Sequence, residues 1–144
     1  MQRKIFTLAC LSFIFAGLAA QESNVVDTWL NADETAHIRI FKATNGKYYG
    51  KIEWLKNEPE KLDVNNPDVE KQKEPVLGLV ILKSFDYDGE KEQWNGGTIY
   101  DPDNGKTYDC YMWFGENPDI LSIKGYVMGM KFIGRETKWK RVKE

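Results

Sequence analysis

The sequence predicts an all-β fold, a small closed antiparallel up-and-down β-barrel of about eight strands with a short helical turn in the loop after the third strand. Short runs rich in Val, Ile, Thr and aromatic residues recur between clusters of Gly, Asn and Asp, which is typical of an antiparallel meander. The strands have no covering helices, so they must form a sandwich or close on themselves. Closure removes the exposed sheet edges, and we therefore predict a barrel.

The strands follow one another from residue 25 to residue 142 and are separated by turn residues. Two turns are Asn-Gly pairs, Asn45-Gly46 and Asn104-Gly105, whose residues tolerate positive φ and close tight hairpins. Asn95-Gly96-Gly97 indicates a bulge or a close backbone approach. The predicted strands are Val25 to Asn31, Ala36 to Ala43, Tyr48 to Leu55, Leu79 to Phe85, Gln93 to Tyr100, Lys106 to Phe114, Ile120 to Tyr126 and Met130 to Val142.

The gap between the third and fourth strands, Lys56 to Pro75, is charged or polar and must lie on the surface. Within it, Asn66-Pro67-Asp68 is a helix start, with an N-cap acceptor at Asn66, a proline at the first helical position and a carboxylate in the first turn. We expect one or two helical turns that end before Pro75. An irregular loop is the alternative, because Val69 alone is apolar there.

Residues 1–20 are predicted to be a signal peptide, and residues 21–144 a single β-barrel domain. Arg3 and Lys4 precede an apolar run that ends in small residues, Gly17, Ala19 and Ala20. The run is shorter than the roughly 18 to 20 residues of a membrane anchor. The sequence therefore predicts a periplasmic or secreted protein with no transmembrane segment after signal removal.

Signal removal makes the protein more acidic. The chain has 20 Lys and Arg against 22 Asp and Glu, and loss of Arg3 and Lys4 leaves 18 against 22, a net charge of −4. That balance argues against nucleic acid and anionic membranes as partners, since both need a basic surface. Cys110 becomes the single cysteine, so it is either buried or paired between chains. The oligomeric state stays open.

Residues at the two ends of the domain predict how the barrel closes. If the last strand pairs with the first, the Arg141 guanidinium can lie over the Trp29 indole, with Arg135 as a competing partner.

Aromatic residues on the strands indicate a ligand pocket, with simple core filling as the alternative. The candidate ligand-binding residues are Trp54, Trp94, Tyr100, Tyr108, Met112 and Tyr126.

Catalytic and metal-binding sets are scarce. His37 is the only histidine, and period-two alternation places it on the opposite face of its strand from the aliphatic residues, whereas Cys110 faces inward. One His and one Cys make zinc improbable, and the acids around Asp101 and Asp103 fit a hairpin turn better than a calcium loop. We predict no catalytic residue, no metal and no cofactor.

Several motifs in order resemble the exported bacterial family catalogued as domain of unknown function 2147. They run from Asn66-Pro67-Asp68 through Leu77-Gly78-Leu79, Trp94-Asn95-Gly96-Gly97 and Ile99-Tyr100-Asp101-Pro102 to Gly134-Arg135 and Trp139-Lys140-Arg141-Val142. The resemblance spans nearly the whole mature chain and implies a lipocalin-like β-barrel without a transferable activity. Asp27-Thr28-Trp29 is also similar to the Gly-x-Trp that begins lipocalins, with Asp27 in place of the glycine.

Export, closure and aromatic strands together lead to a first hypothesis, a non-enzymatic binding protein for a small apolar or amphipathic ligand. The second is an envelope protein-interaction or scaffold module, which predicts a filled barrel and an exposed apolar patch. The third is a hydrolase with two carboxylates in a cleft.

Overall fold

Eight antiparallel strands form a closed barrel in which each strand pairs with its neighbours along the chain and β8 pairs with β1. This confirms the predicted fold class. The computed structural model describes residues 21–144, so the predicted signal peptide lies outside the described residues and stays a prediction. The strands are β1 (Thr28–Leu30), β2 (Ala36–Lys42), β3 (Tyr48–Leu55), β4 (Val80–Asp88), β5 (Gln93–Asp101), β6 (Lys106–Phe114), β7 (Ile120–Tyr126) and β8 (Gly134–Arg141).

The up-and-down order gives the barrel two different ends. At one, the open end, lie the loops 31–35, 56–79, 102–105 and 127–133. At the other, the closed end, lie residues 21–27 and the loops 43–47, 89–92 and 115–119. No helix within residues 21–144 combines the length and apolar character needed to cross a membrane.

The first and last strands are shorter than predicted. The sequence predicts Val25 in β1, but Val25 lies before the strand, buried, with its carbonyl accepting the indole N–H of Trp29 at 2.9 Å. The prediction that β8 starts at Met130 is also wrong, because Met128 and Gly129 have φ of 54° and 70° and turn the chain, and the strand begins at Gly134. Residues 127–133 therefore form a loop that turns at Met128 and Gly129.

The turn predictions agree with the structure. Gly46 and Gly105 have φ of 81° and 70° in the β2–β3 and β5–β6 turns, which confirms both hairpins. The register of β5 shifts between Trp94 and Gly97, which confirms the bulge. A Cβ on Gly97 would lie 2.5 Å from the Phe85 ring, so the backbone approach is close as well.

The helical turn after β3 is a 3₁₀ helix, Val69–Lys73, that ends before Pro75 as predicted. Its N-cap is Asp68, whose carboxylate accepts the Glu70 N–H, and not Asn66 as expected. The Asn66 side chain instead accepts the Asp68 N–H at 2.9 Å and forms the turn that precedes the helix. Asn66 is therefore corrected to a turn residue.

The closed half of the barrel is filled by large side chains. Trp94 packs edge-to-face on Phe114 at 5.6 Å between ring centroids, and Trp29 lies 5.7 Å from the same ring. The other members of this packing are at most 1% exposed, and they are Tyr48, Phe85, Met112 and Leu121. The strands and this core lie within residues 25–142, so the described part of the chain contains a complete barrel.

Arg141 joins the two ends of the sheet. It lies opposite Trp29 in the β1–β8 register, and its guanidinium is 4.4 Å from the centre of the Trp29 ring. The Arg141 side chain is 15% exposed, so these contacts are only weakly screened by solvent. Its N–H groups donate to Asp27 Oδ2 at 2.5 Å, Asn24 Oδ1 at 3.0 Å, the Pro118 carbonyl at 2.8 Å and Asp119 Oδ1 at 3.2 Å. Arg135 lies at the other end of β8, opposite Gly125.

Replacing Arg141 by alanine is expected to lower the free energy of unfolding by about 3 kcal/mol, because it removes the cation–π contact and leaves partly buried carboxylates without their partner. The neighbouring Lys140→Ala is the control. Lys140 pairs with Glu34 at 2.8 Å, but both side chains are more than half exposed, so a change within about 0.5 kcal/mol is expected. Urea unfolding followed by tryptophan fluorescence measures both variants, and equal losses would contradict the role given to Arg141.

The Asp27 carboxylate makes stability at the β1–β8 junction depend on pH. Partial burial raises its pKa, but the hydrogen bonds from Arg141 and from the Thr28 N–H outweigh burial and leave the pKa below its ordinary value. A lowered pKa in the folded state stabilises the fold at neutral pH, and that stabilisation disappears as the pH falls through the folded-state pKa. We expect the free energy of unfolding to decrease below about pH 4, with a shallower decrease in Asp27→Asn. Urea titrations across the acid range test this, and identical slopes would count against it.

Candidate functional site

A cavity of about 620 Å³ occupies the open half of the barrel and reaches solvent between the loops of the open end. Its volume is in the range of roughly 300–1,000 Å³ typical of small-molecule sites. The inner wall is apolar and comes from inward positions of six strands. Its main residues are Ile38, Ile52, Ile81, Ile99, Ile123 and Trp139.

The rim of the cavity is polar and carries charges of both signs. Asn31 and Thr35 come from the β1–β2 loop, and Arg135 comes from the start of β8. Asp27 and Arg141, at the opposite end of the barrel, do not line it. The charged rim residues are Asp33, Lys56, Glu58, Lys61, Asp101, Asp103 and Arg135. An apolar interior below a polar mouth matches a molecule that is apolar at one end and polar at the other.

The structure separates the six candidate ligand-binding residues. Tyr100, Tyr108 and Tyr126 line the cavity at its rim. Trp94 and Met112 are completely buried in the closed half.

Trp54 lies on the outer surface of the barrel, 40% exposed, with its ring 4.5 Å from the ring of His37. A bulge explains this orientation. In the β2–β3 register His37 pairs with Trp54 and Ile38 pairs with Ile52, so β3 holds one extra residue, Glu53, between them. An extra residue inverts the inward and outward alternation beyond it, and Trp54 therefore faces outward.

Sequence reasoning missed the aliphatic wall and the small residues that leave it open. Gly125 and Thr137 lie on inward positions of β7 and β8 and line the cavity. Their small volume, beside Ile99 and Ile123, leaves space unfilled. The signal that could have found them is a Gly and a Thr at inward positions of otherwise apolar strands.

The long segment 56–79 is fastened to the β5–β6 hairpin beside the cavity. Asp63 is 1% exposed, and its carboxylate accepts hydrogen bonds from the Tyr100 hydroxyl at 2.7 Å and the Asn66 amide at 2.7 Å. Burial, together with the Asp63 carboxylate, raises the pKa of the Tyr100 phenol, so the hydroxyl stays a donor. An isolated bridge between Leu62 and Pro75 closes the segment on itself. We call these contacts the latch.

Further contacts extend the latch to the turn 102–105. The Asn65 amide donates to the carbonyls of Pro102 and Asp103, and Lys61 pairs with the Asp103 carboxylate. The backbone of Asn65 lies so close to Gly105 that no Cβ can be accommodated there. One side of the cavity mouth is thus held in place by hydrogen bonds.

Neither the only histidine nor the only cysteine of residues 21–144 lines the cavity. Cys110 is completely buried, and burial raises the pKa of its thiol. His37 stacks on Trp54 outside the barrel. The two residues are not brought together. Within residues 21–144, no group of three or more His, Cys, Asp or Glu side chains is arranged to hold a metal ion.

Comparisons with known proteins agree with this architecture. The family model described as "Uncharacterized protein conserved in bacteria (DUF2147)" matches residues 27–141. The solved structure of protein HP1028 from the human pathogen Helicobacter pylori, described as belonging to the lipocalin family, has a TM-score of 0.73 and 21% sequence identity, covering 83% of this chain and 84% of that chain. At this identity the likeness shows the fold alone. No curated protein matches the sequence.

Removing the Tyr100 hydroxyl is expected to loosen the latch. Tyr100→Phe leaves a buried carboxylate with one donor fewer, which costs about 1–3 kcal/mol and raises amide hydrogen exchange in residues 61–76. Exchange followed by mass spectrometry locates the change.

Tyr108→Phe is the matched control. The Tyr108 hydroxyl accepts a hydrogen bond from the exposed Asn104 amide at 3.0 Å, which lies outside residues 61–76. Its removal is expected to leave exchange in residues 61–76 unchanged. If Tyr100→Phe also leaves that exchange unchanged, the segment is held by other contacts.

Proposed function

The chain belongs to the bacterial family DUF2147, and from that premise we propose that it is an exported, non-enzymatic protein that binds a small apolar or amphipathic ligand in the open half of its barrel. The observation that carries the proposal is the cavity of about 620 Å³ with an isoleucine-rich wall and a polar rim. Burial of an apolar chain against such a wall supplies the affinity, and the rim orients a polar end.

The lipocalin-like fold supports ligand binding in the same place. The structurally similar Helicobacter pylori protein is described as a member of the lipocalin family. An eight-stranded barrel has room either for its own side chains or for one small ligand. Here side chains fill the closed half, and the open half has room for a ligand. This division favours a ligand of limited length that enters from the open end.

Export and the absence of catalysis are parts of the proposal that rest on different residues. Residues 1–20 have the charged, apolar and small-residue order of a signal peptide. A binding role without chemistry is favoured because His37 stacks on Trp54 outside the barrel and the Cys110 thiol is completely buried. At the rim, the Asp103 carboxylate is engaged by Lys61 in the latch.

Filling the cavity is expected to abolish binding without harming the fold. Thr137 points inward from β8 beside Ile123, so Thr137→Phe places a ring in the cavity, weakens binding by about tenfold or more and leaves stability equal or higher by about 1 kcal/mol. Delipidated protein is incubated with a lipid extract of bacterial envelopes, and native mass spectrometry identifies what is retained.

Glu136→Phe is the matched control, since it adds the same ring at the adjacent, exposed position of β8. It is expected to retain what the unchanged protein retains. The proposal fails if the unchanged protein retains nothing, or if Thr137→Phe and the unchanged protein retain the same molecules equally well.

A further inference from the structure

The loop between β7 and β8 carries a cluster of exposed apolar side chains. Met128 is 88% exposed, Phe132 81%, Ile133 53% and Val127 44%. We call these four residues the apolar tip. Single exposed apolar residues are ordinary on protein surfaces, but four within seven consecutive positions form a patch of the kind that marks an interaction surface.

The apolar tip projects from the mouth of the cavity. Val127 and Ile133 also line the cavity, so the patch and the inner wall are continuous. The loop has its own turn bonds, since the Met130 N–H donates to the Val127 carbonyl at 3.0 Å and the Ile133 N–H to the Met130 carbonyl at 2.9 Å. These bonds hold the backbone in a folded turn while Met128 and Phe132 stay outside the barrel.

The charge of the loop differs from the charge of the chain. Residues 127–135 include Lys131 and Arg135 and no acid. The nearest acids on the paired strands face cations or a ring, because Glu136 lies opposite Lys124 and Asp109 lies opposite Tyr126. The net negative charge of the mature chain argues against binding to an anionic membrane. This loop, however, carries a net positive charge.

Other acids occur on the neighbouring loops of the open end, and two of them are paired. Glu34 is bound by Lys140, and Asp103 by Lys61. Asp33, Glu58 and Asp101 also lie at the rim. None of these acids belongs to residues 127–135, whose charged side chains are both cations.

Exposed apolar side chains beside cations are the combination by which peripheral proteins bind the interface of a bilayer. The apolar groups enter the acyl boundary, and Lys and Arg lie at the level of anionic headgroups. A second copy of this chain fits less well, because it would bring two sets of Lys131 and Arg135 together. The positive charge of the loop thus complements anionic phospholipid, whereas it would repel the same loop of a second copy.

We propose that residues 127–135 dock the open end of the barrel on a bilayer that contains anionic phospholipid, with the cavity mouth facing the lipid. Docking rests on the loop alone. The consequence that ligand passes between the bilayer and the cavity without crossing water rests on the proposed function as well.

Vesicle flotation with residues 21–144 tests the docking. The unchanged protein is expected to float with vesicles of phosphatidylcholine and phosphatidylglycerol, and less with phosphatidylcholine alone. The double variant Met128→Ser and Phe132→Ser is expected to bind about tenfold more weakly, because two apolar groups no longer enter the interface. Val69→Ser is the control, since Val69 is 66% exposed but lies on the 3₁₀ helix, and it is expected to bind as the unchanged protein does.

Lys131→Gln separates the electrostatic contribution, and it is expected to weaken binding only to vesicles with phosphatidylglycerol. The proposal is overturned if the unchanged protein does not float, or if the double variant floats as well as the unchanged protein. It is equally overturned if light scattering shows a dimer that the double variant loses, since the loop then binds a second copy.

Ligand binding measured in solution distinguishes a failure of membrane docking from a failure of the proposed ligand-binding function. A fluorescent fatty acid below its micelle concentration is bound to the protein without vesicles, and the double variant is expected to bind it normally. Normal binding with lost flotation supports docking as a separate function of the loop. Flotation without any binding of the probe leaves docking intact and counts against the proposed function.

Discussion

The contact of Arg141 with Trp29 and Asp27 is the interaction on which the rest of the structure depends. It joins the last strand to the first, where β1 has only three residues and β1–β8 pairing involves only two registered pairs. So few backbone hydrogen bonds give a weak junction. A shielded guanidinium that stacks on one ring and binds groups from residues 24, 27, 118 and 119 compensates for this, because it connects the N-terminal segment, the β6–β7 loop and β8 at one point. Without closure the inner wall would be an open sheet face, and there would be no cavity.

Side-chain size divides the closed barrel into two halves. Trp29, Trp94 and Phe114 interlock in the closed half, and rings of that volume leave no space between strands. Toward the open end the inward positions are mainly isoleucines, with Trp139, Thr137 and Gly125, and most of these side chains are too small to meet across the same diameter. A cavity follows from this difference in volume, since the spacing of the strands is set by the backbone and does not contract around smaller side chains.

Alternation along a strand is sufficient to predict the fold, the hairpins and the inward direction of Cys110, but it cannot predict the site. The period-two alternation indicates which face of the sheet a residue occupies, but it does not indicate how deep the residue lies along the barrel axis. Tyr100 and Trp94 belong to the same strand, yet one lies at the rim and the other in the closed half. Trp54 shows a second reason, since the extra residue Glu53 inverts the alternation and has no signature in local sequence. The short β1 shows a third, because Val25 has strand-forming chemistry but its carbonyl is used by the Trp29 indole.

The open end combines a fixed side and a side that reaches outward. The latch holds residues 61–75 against the β5–β6 turn through a buried carboxylate, and movement there would leave Asp63 unpaired away from water. The β7–β8 loop is held instead by its own turn bonds and by the contact of Lys131 with the Tyr111 ring, and its large apolar side chains face solvent. The β7–β8 loop is thus the side of the mouth whose apolar side chains are available to another apolar phase. Val127 and Ile133 belong both to the exposed patch and to the cavity wall, so the side of the mouth that our proposal places against lipid continues directly into the apolar interior.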